Sequence, residues 1–235
     1  MLTDFHSHIL PGVDDGSRSV EQSLAMLRSE AAQGVTHVIA TPHFYANHND
    51  PIRFLERRTK AARLLAEAMA KEEGLPEVIL GVEVRYFSGM SNSEILPKMA
   101  IEGTRCILVE MPHGHWSESM YQELLEIYTT RGLTPIIAHV DRYIQPFRTH
   151  GIPKRLEKLP FLVQANADFF LERSTVKMAL RMLDRGQIHL LGSDCHNLTD
   201  RSPNLGAAAK VITTKLGQAS LTRIQKYEKR ILKKA

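Results

Sequence analysis

His6-Ser7-His8 sets two imidazoles one residue apart, and on an extended segment they share a side because side chains alternate with period two. Asp14-Asp15-Gly16 follows closely. Thr41-Pro42-His43, Glu83, Glu110, Ala138-His139 and Ser193-Asp194-Cys195-His196 each end or follow a short apolar run. A lone His or Glu at such a place is ordinarily a satisfied hydrogen-bonding residue. His6, His8, Asp15, His43, Glu83, Glu110, His139, Asp194 and His196 around one mouth are a different case. Ionised carboxylates resist desolvation, and neighbouring carboxylates raise one another's pKa. Divalent cations relieve both costs. Five neutral imidazoles and four carboxylates suffice for two or three ions if a carboxylate bridges, and the N/O donor mix suits Zn, Mn or Fe better than Ca.

The elements that must position these residues are legible as alternating runs. Strands are expected at 3–8, 35–40, 78–84, 106–110, 134–138, 161–165 and 188–192, apolar enough to be buried on both faces as in a parallel sheet. Helices lie between them. Ser19 with Gln22 reads as a capping box, with Val20, Leu24, Leu27 and Ala31 inward and Gly34 as the stop. Asp50-Pro51 opens a second helix with Leu55, Ala62, Leu65 and Met69 inward. Met120, Leu124, Ile127 and Tyr128 line a third, and Val176, Ala179, Leu180 and Leu183 a later one. Seven such units without a linker or repeat predict a single α/β domain, a distorted (β/α)7 TIM-like barrel, whose functional residues belong at the carboxyl ends of the strands. Six of the seven ends offer a metal-binding side chain; Gln164-Ala165-Asn166 at the sixth does not. No glycine-rich phosphate loop follows any strand, so nucleotide binding has no support.

Composition narrows the classes further. The 235 residues are 43% hydrophobic and 24% charged, which provides for a sizeable core. The net charge of +4 is local: residues 218–235 hold Arg223, Lys226, Lys229, Arg230, Lys233 and Lys234 against Glu228, leaving the rest at −1. That argues against a nucleic-acid-binding face. Two cysteines make no disulfide scaffold, and neither a signal peptide nor an apolar run of membrane-spanning length is found. A reduced cytoplasmic protein is expected. Leu221, Ile224, Tyr227 or Glu228, and Ile231 predict a terminal helix docked on the barrel with its lysines in water; weak contact with an anionic membrane surface or a partner kinase is the alternative.

The motifs resemble those of the polymerase-and-histidinol-phosphatase (PHP) superfamily. His6-Ser-His8-Ile-Leu-Pro-Gly-Val-Asp-Asp15-Gly16 is similar to its first motif. Ala-Thr-Pro-His43, Gly-Val-Glu83, Val-Glu110, Ala-His139-Val-Asp-Arg142-Tyr143 and Ser-Asp194-Cys-His196-Asn are similar to later ones, in the same order. The nearest branch is the bacterial metal-dependent protein-tyrosine phosphatases of capsule and exopolysaccharide systems, over residues 3 to about 205. The resemblance implies three divalent ions, manganese first, with iron or zinc as alternatives. One would take His6, His8, Glu83 and Asp194; a second would share Glu83 and add Glu110 and His139; a third would take Asp15, His43 and His196. It also implies Arg142 and Arg201 as phosphate-binding catalytic residues, and a metal-activated hydroxide that hydrolyses phosphotyrosine in a protein, such as an exopolysaccharide-related tyrosine kinase. Two departures, Phe44 where the branch often has a second His and Val140-Asp141 where it has Pro-Glu, bear on loop shape and substrate preference.

Rival readings leave different marks. Cys195 to Arg201-Ser202 forms a C-x5-R-S string, but the intervening residues hold no glycine and Asp194 would raise a thiol's pKa. An amidohydrolase would share H-x-H but often bridges its metals with a carboxylated lysine. A small phosphomonoesterase of histidinol-phosphatase type and an inactive structural module remain, the latter expecting lost ligands. His113 and His115 are read as a solvated loop, with substrate contact as the alternative and Trp116 as a pocket wall beside them. His37 is expected to be a hydrogen-bonded core residue and Cys106 buried packing; His48, His150 and His189 have no special spacing.

Overall fold

In this computed structural model, residues 1–144 and 151–233 are described; His150 and Lys234 lie outside them. The first half runs β1 (Thr3–Ser7), α1 (Val20–Ala32), β2 (His37–Ala40), β3 (His43–Phe44), α2 (Pro51–Met69), β4 (Glu77–Leu80), β5 (Glu83–Arg85) and β6 (Cys106–Glu110). The second runs α3 (Glu118–Arg131), β7 (Thr134–Ile137), α4 (Ile152–Leu156), β8 (Leu162–Asn166), α5 (Asp168–Leu171), α6 (Val176–Asp184), β9 (Leu190–Gly192), α7 (Leu205–Leu216) and α8 (Gln218–Leu232). The result is an α/β domain whose strands pair in parallel throughout, in the orders β1-β2-β4 and β3-β5-β6-β7-β8-β9.

Seven unbroken strands are not what forms. The expected second strand forms as β2 and is followed, after Thr41-Pro42, by the extra short strand β3, while the third divides at Gly81-Val82 into β4 and β5. Pro42 has no N–H to give the ladder, which is why pairing lapses there. The gap is bridged locally: Thr41 N donates to Ser7 O at 2.8 Å, and Gly81 N to Ala40 O at 2.8 Å. The stepped strands lift His43 and Glu83 opposite one another in register. On the far side β1 meets the segment after β9 through a single bridge, Ser7 to Cys195, with Asp194 N donating to His6 O at 2.7 Å.

Helix starts follow the sequence closely. Ser19 Oγ accepts from Gln22 N at 3.3 Å and Asp50 Oδ1 from Arg53 N at 2.8 Å. Buried faces are rotated in places. α2 buries Phe54, Ala61 and Leu65, while Leu55, Ala62 and Met69 flank that stripe; α3 buries Tyr121, Leu124 and Ile127 and leaves Tyr128 exposed. His37 is a correction: at the start of β2 it is only half-buried, its Nδ1 2.9 Å from Thr36 Oγ1 and its Nε2 3.6 Å from Glu77. Cys106 is buried at the head of β6.

Two apolar clusters hold the layers together. The larger lies between sheets and helices. The smaller fills the space inside the strands with Phe5, Ile39, Leu108, Ile136 and Leu190, closed from below by Ile231 of α8. α8 also buries Leu221 and Ile224, and it sinks Glu228 rather than Tyr227 completely; Lys226, Lys229, Arg230 and Lys233 face water. Among the described residues, no helix is long and apolar enough to cross a membrane.

Burial pushes the Glu228 carboxyl up from 4.5 to about 7, against the opposing pull of Thr3 and the amino terminus. The folded chain therefore holds this proton more tightly than the unfolded chain. The associated stability is full below the unfolded value and drains away as pH rises through about 7. Glu228→Gln is expected to stabilise the protein by about 1–3 kcal/mol in mildly alkaline buffer and to change little in acid, as read from paired urea melts.

Candidate metal centre

The strand ends deliver the predicted residues to one place. His6 and His8 leave β1, and their Nε2 atoms stand 3.1 Å apart, too close for both to carry protons. His6 Nε2 lies 3.2 Å from Glu83 Oε2 and 3.5 Å from Asp194 Oδ1; His8 Nε2 lies 3.3 Å from the same Asp194 oxygen. His139 Nε2 meets Glu83 Oε1 at 2.8 Å, with Glu110 Oε1 at 3.8 Å. Asp15 stands in the open mouth, 3.5 Å from His196 and 3.6 Å from His43. Each of the nine predicted ligand residues thus lies within 4 Å of at least one other, and all except Asp15 and His43 are buried.

Several buried ligand atoms face one another with few hydrogen bonds between them. His43 Nδ1 meets Glu83 Oε2 at 2.7 Å as an ion pair, His196 Nε2 lies 3.5 Å from Asp15 Oδ1, and His139 Nδ1 has no hydrogen-bond partner. Imidazole and carboxylate atoms converging in this way fit ligands arranged around a cation. His8, Asp15, His43 and His196 form one such group, His6, His8 and Asp194 another, and His6, Glu83 and His139 a third; His43, Glu83 and Glu110 share its outer side. Imidazole and carboxylate donors without thiolate suit Mn, Fe or Zn.

The backbone is strained where it serves this cluster. Among the described residues, only His139 (φ 30°) and Asp194 (φ 55°) adopt positive φ without being glycine, at a cost of order 1–3 kcal/mol each. Gly192 allows close approach: a Cβ there would lie 2.6 Å from His6 Cβ and 2.7 Å from Gln164 Nε2.

A surrounding set of residues holds the ligands, and sequence reading gave it no role. Asp14 Oδ2 bonds His8 Nδ1 at 2.7 Å and accepts from His43 N at 3.0 Å. Gln164 Oε1 accepts from His139 N at 2.6 Å and lies 3.3 Å from His6 Nδ1; Asn166 Nδ2 donates to Asp194 Oδ2 at 3.1 Å. Such partners fix ring orientation in metal sites. Arg85 Nη1 donates to Glu110 Oε2 at 3.2 Å. Arg142 Nη2 and Arg201 Nη2 grip opposite oxygens of Asp194, at 2.5 and 2.7 Å, with about a third of each side chain exposed at the mouth.

Other residues near the motifs take quieter roles. Trp116 does not wall the mouth: it is buried, gives its Nε1–H to Pro112 O at 2.9 Å, and packs edge-on against Tyr143. His113 and His115 are exposed on the loop. Cys195 is fully buried with Glu30 Oε1 at 3.9 Å; burial, then Glu30 and Asp4, push its thiol far up, so it supplies no thiolate.

The comparisons decide the family. The family model described as capsular polysaccharide synthesis, CpsB/CapC, matches residues 2–233. The chain belongs to this family. CpsB/CapC relatives include tyrosine-protein phosphatase YwqE of Bacillus subtilis, 27% identical over 234 residues, covering 92% of this chain and 85% of that protein. Tyrosine-protein phosphatase CpsB of Streptococcus pneumoniae is 29% identical over 232 residues, covering 92% and 91%. A solved structure from work on YwqE and CpsB, described as unique metal-dependent tyrosine phosphatases, superposes with a TM-score of 0.83 at 25% identity over 97% of this chain and 93% of that one. An inactive dihydroorotase-like domain from Chaetomium thermophilum shares the fold alone, at TM-score 0.52 and 7% identity over 99% of this chain and 78% of that one.

Without cations, protons take part of the cations' place. Burial opposes charge on His8, but Asp14, Asp194 and Glu83 carry it well above the ordinary imidazole range, and Glu83 and Asp194 raise His6. Burial opposes charge on Glu83 and Asp194 too, yet the facing histidines hold both well below the carboxylate range. His196 is pushed down to about 4, first by burial and then by His8. Imidazoles bind metal only when neutral, so loading with Mn2+ at neutral pH is expected to release about one proton or more per chain. Titration calorimetry in buffers of different ionisation enthalpy reads that release, and affinity should weaken as pH falls.

Proposed function

We propose that the chain is a metal-dependent protein-tyrosine phosphatase. The observation that carries this reading is the convergence of His6, His43 and His139 on the buried Glu83 carboxylate, beneath two arginines that share Asp194. The two sheets, joined at the β1–β9 seam, are read as one distorted (β/α)7 barrel, with the whole chain as a single phosphatase domain and 218–235 as its basic helix. His6, His8, Glu83 and Asp194, then Glu83, Glu110 and His139, then Asp15, His43 and His196 would hold three divalent ions, manganese first. Such ions, when bound, lower the pKa of a coordinated water towards neutrality and offset phosphoryl charge.

The chain's own groups do the rest. Arg142 and Arg201 each spend one Nη2–H on Asp194 and keep other N–H groups for phosphoryl oxygens, so an entering phosphate dianion meets two forked donors already fixed in place. Hydrolysis breaks the bond between phosphorus and the phenolic oxygen, forms one from water oxygen to phosphorus, and returns a proton to tyrosine. No protein nucleophile is needed. The substrate that fits the family is a tyrosine-phosphorylated protein of a capsule or exopolysaccharide system, such as its tyrosine kinase. A cytoplasmic setting suits the buried free thiols of Cys106 and Cys195. Because α8 has already buried its apolar face, any contact with an anionic membrane would be electrostatic and weak, about 1 kcal/mol per basic residue.

Chelation is expected to abolish hydrolysis of a phosphotyrosine peptide and Mn2+ to restore it, with histidinol phosphate turned over more slowly at equal enzyme. Faster turnover of histidinol phosphate would reassign the substrate class. Arg201→Ala should cost about ten-fold or more in kcat/KM while metal content per chain stays constant. Cys195→Ser should keep most activity; its loss with metals still bound would overturn the water-attack reading.

A further inference from the structure

Among the described residues, one partly exposed phenolic ring stacks on a predicted ligand histidine. Among the described ring contacts to predicted ligand histidines, two phenolic side chains occur: Tyr143 against His139 at 5.6 Å and Tyr45 against His43 at 5.3 Å. Tyr143 is buried, and its hydroxyl already accepts from Met111 N at 2.8 Å. Tyr86, on the neighbouring strand, turns away to give its hydroxyl to Glu123 of α3 at 2.6 Å. Tyr45 differs. It is half-buried and stacks on His43 with an interplanar angle of 29°.

Its surroundings show where the ring stands. The ring lies against His43, whose Nδ1 is 2.7 Å from Glu83 and whose Nε2 is 3.6 Å from the exposed Asp15, so it stands beside the open mouth of the centre. The backbone that carries the ring is held in place. Tyr45 N donates to Asn49 Oδ1 at 2.9 Å, and Tyr45 O accepts from His48 N and Asn49 N at 3.0 and 2.8 Å, just before Asp50 caps α2. A ring on a fixed backbone and stacked on His43 offers a surface at reduced entropic cost. The other named groups facing the mouth, Asp15, Arg85, Arg142 and Arg201, are charged.

We propose that Tyr45 is a specificity-determining residue that packs its ring against the aryl group of a phosphate ester whose phosphoryl oxygens lie on Arg142 and Arg201. The inference rests on the phosphatase reading and names the feature by which that site prefers an aromatic ester to an aliphatic one. A phosphorylated tyrosine would lay its ring on Tyr45 while its phosphoryl group reaches the centre; a phosphorylated serine has nothing to lay there.

Non-hydrolysable ligands test it apart from turnover. Metal-loaded wild type, Tyr45→Ala and Tyr45→Phe would be titrated calorimetrically with phenylphosphonate and ethylphosphonate. Tyr45→Ala should weaken phenylphosphonate by about five-fold, the size of one aromatic pair, and leave ethylphosphonate unchanged, while Tyr45→Phe binds both as wild type does. Equal losses on both ligands would make Tyr45 a mere support for His43 and overturn the proposal. No loss, or an equal loss in Tyr45→Phe, would also overturn it. Wild type that binds both phosphonates with this selectivity but leaves a phosphotyrosine peptide uncleaved would refute the phosphatase reading and spare the aryl wall. Wild type that binds neither would end both.

Discussion

Glu83 is a carboxylate almost wholly removed from water, and the rest of the molecule is arranged to make that tolerable. An unpaired ion in such a place costs several kcal/mol even after relaxation. His6 from β1, His43 from β3 and His139 from beyond β7 all turn towards it. The ends of β1, β3 and β7 thus each place an imidazole at this one carboxyl group. The requirement explains the stepped strands: β3 and β5 are short segments displaced from β2 and β4, and their register sets His43 beside Glu83.

The second constraint is the seam between β1 and β9, where no regular ladder forms. A side chain reinforces the few backbone bonds made there. Asp4 Oδ1 accepts from His6 N at 3.0 Å and Ser193 N at 2.9 Å, while its Oδ2 takes the Ser193 hydroxyl at 2.5 Å. Ser193 Oγ then accepts from Cys195 N at 3.1 Å. Behind them Glu30 is driven up to about 10, first by burial and then by Asp4, so it stays neutral beside that carboxylate. These bonds hold Asp194 in its left-handed conformation between two fixed neighbours. Asp194 can then face His6, His8, Arg142 and Arg201 together.

Much of this was legible in the residue order. Apolar runs ending in His, Glu or Asp marked the strand ends, and the parallel pairing and the convergence of those ends followed from them. Ser19 and Asp50 announced their helices through local capping chemistry, which depends on a few neighbouring residues. What escaped depends on distant partners. Asp14 looks like a second copy of Asp15 until His8 is seen bonded to it, and Gln164 is an ordinary strand residue until His6 and His139 close on it. The rotated stripe of α2 has the same origin, since Phe54 wins the interior only once Phe44 packs against it at 5.2 Å. Trp116 could be placed only by the fold, because a large ring near a mouth and a large ring under a loop have the same local sequence.

α8 gives the basic segment a different meaning from that of an appended tail. Ile231 seals the floor of the inner cluster, yet it comes after every strand it touches. During synthesis the sheet therefore leaves the ribosome before its own floor exists, and Phe5 waits for a residue made far later to close its cluster. Such a domain gains its final closure late, and a nascent chain stalled short of α8 exposes apolar surface for quality control to find.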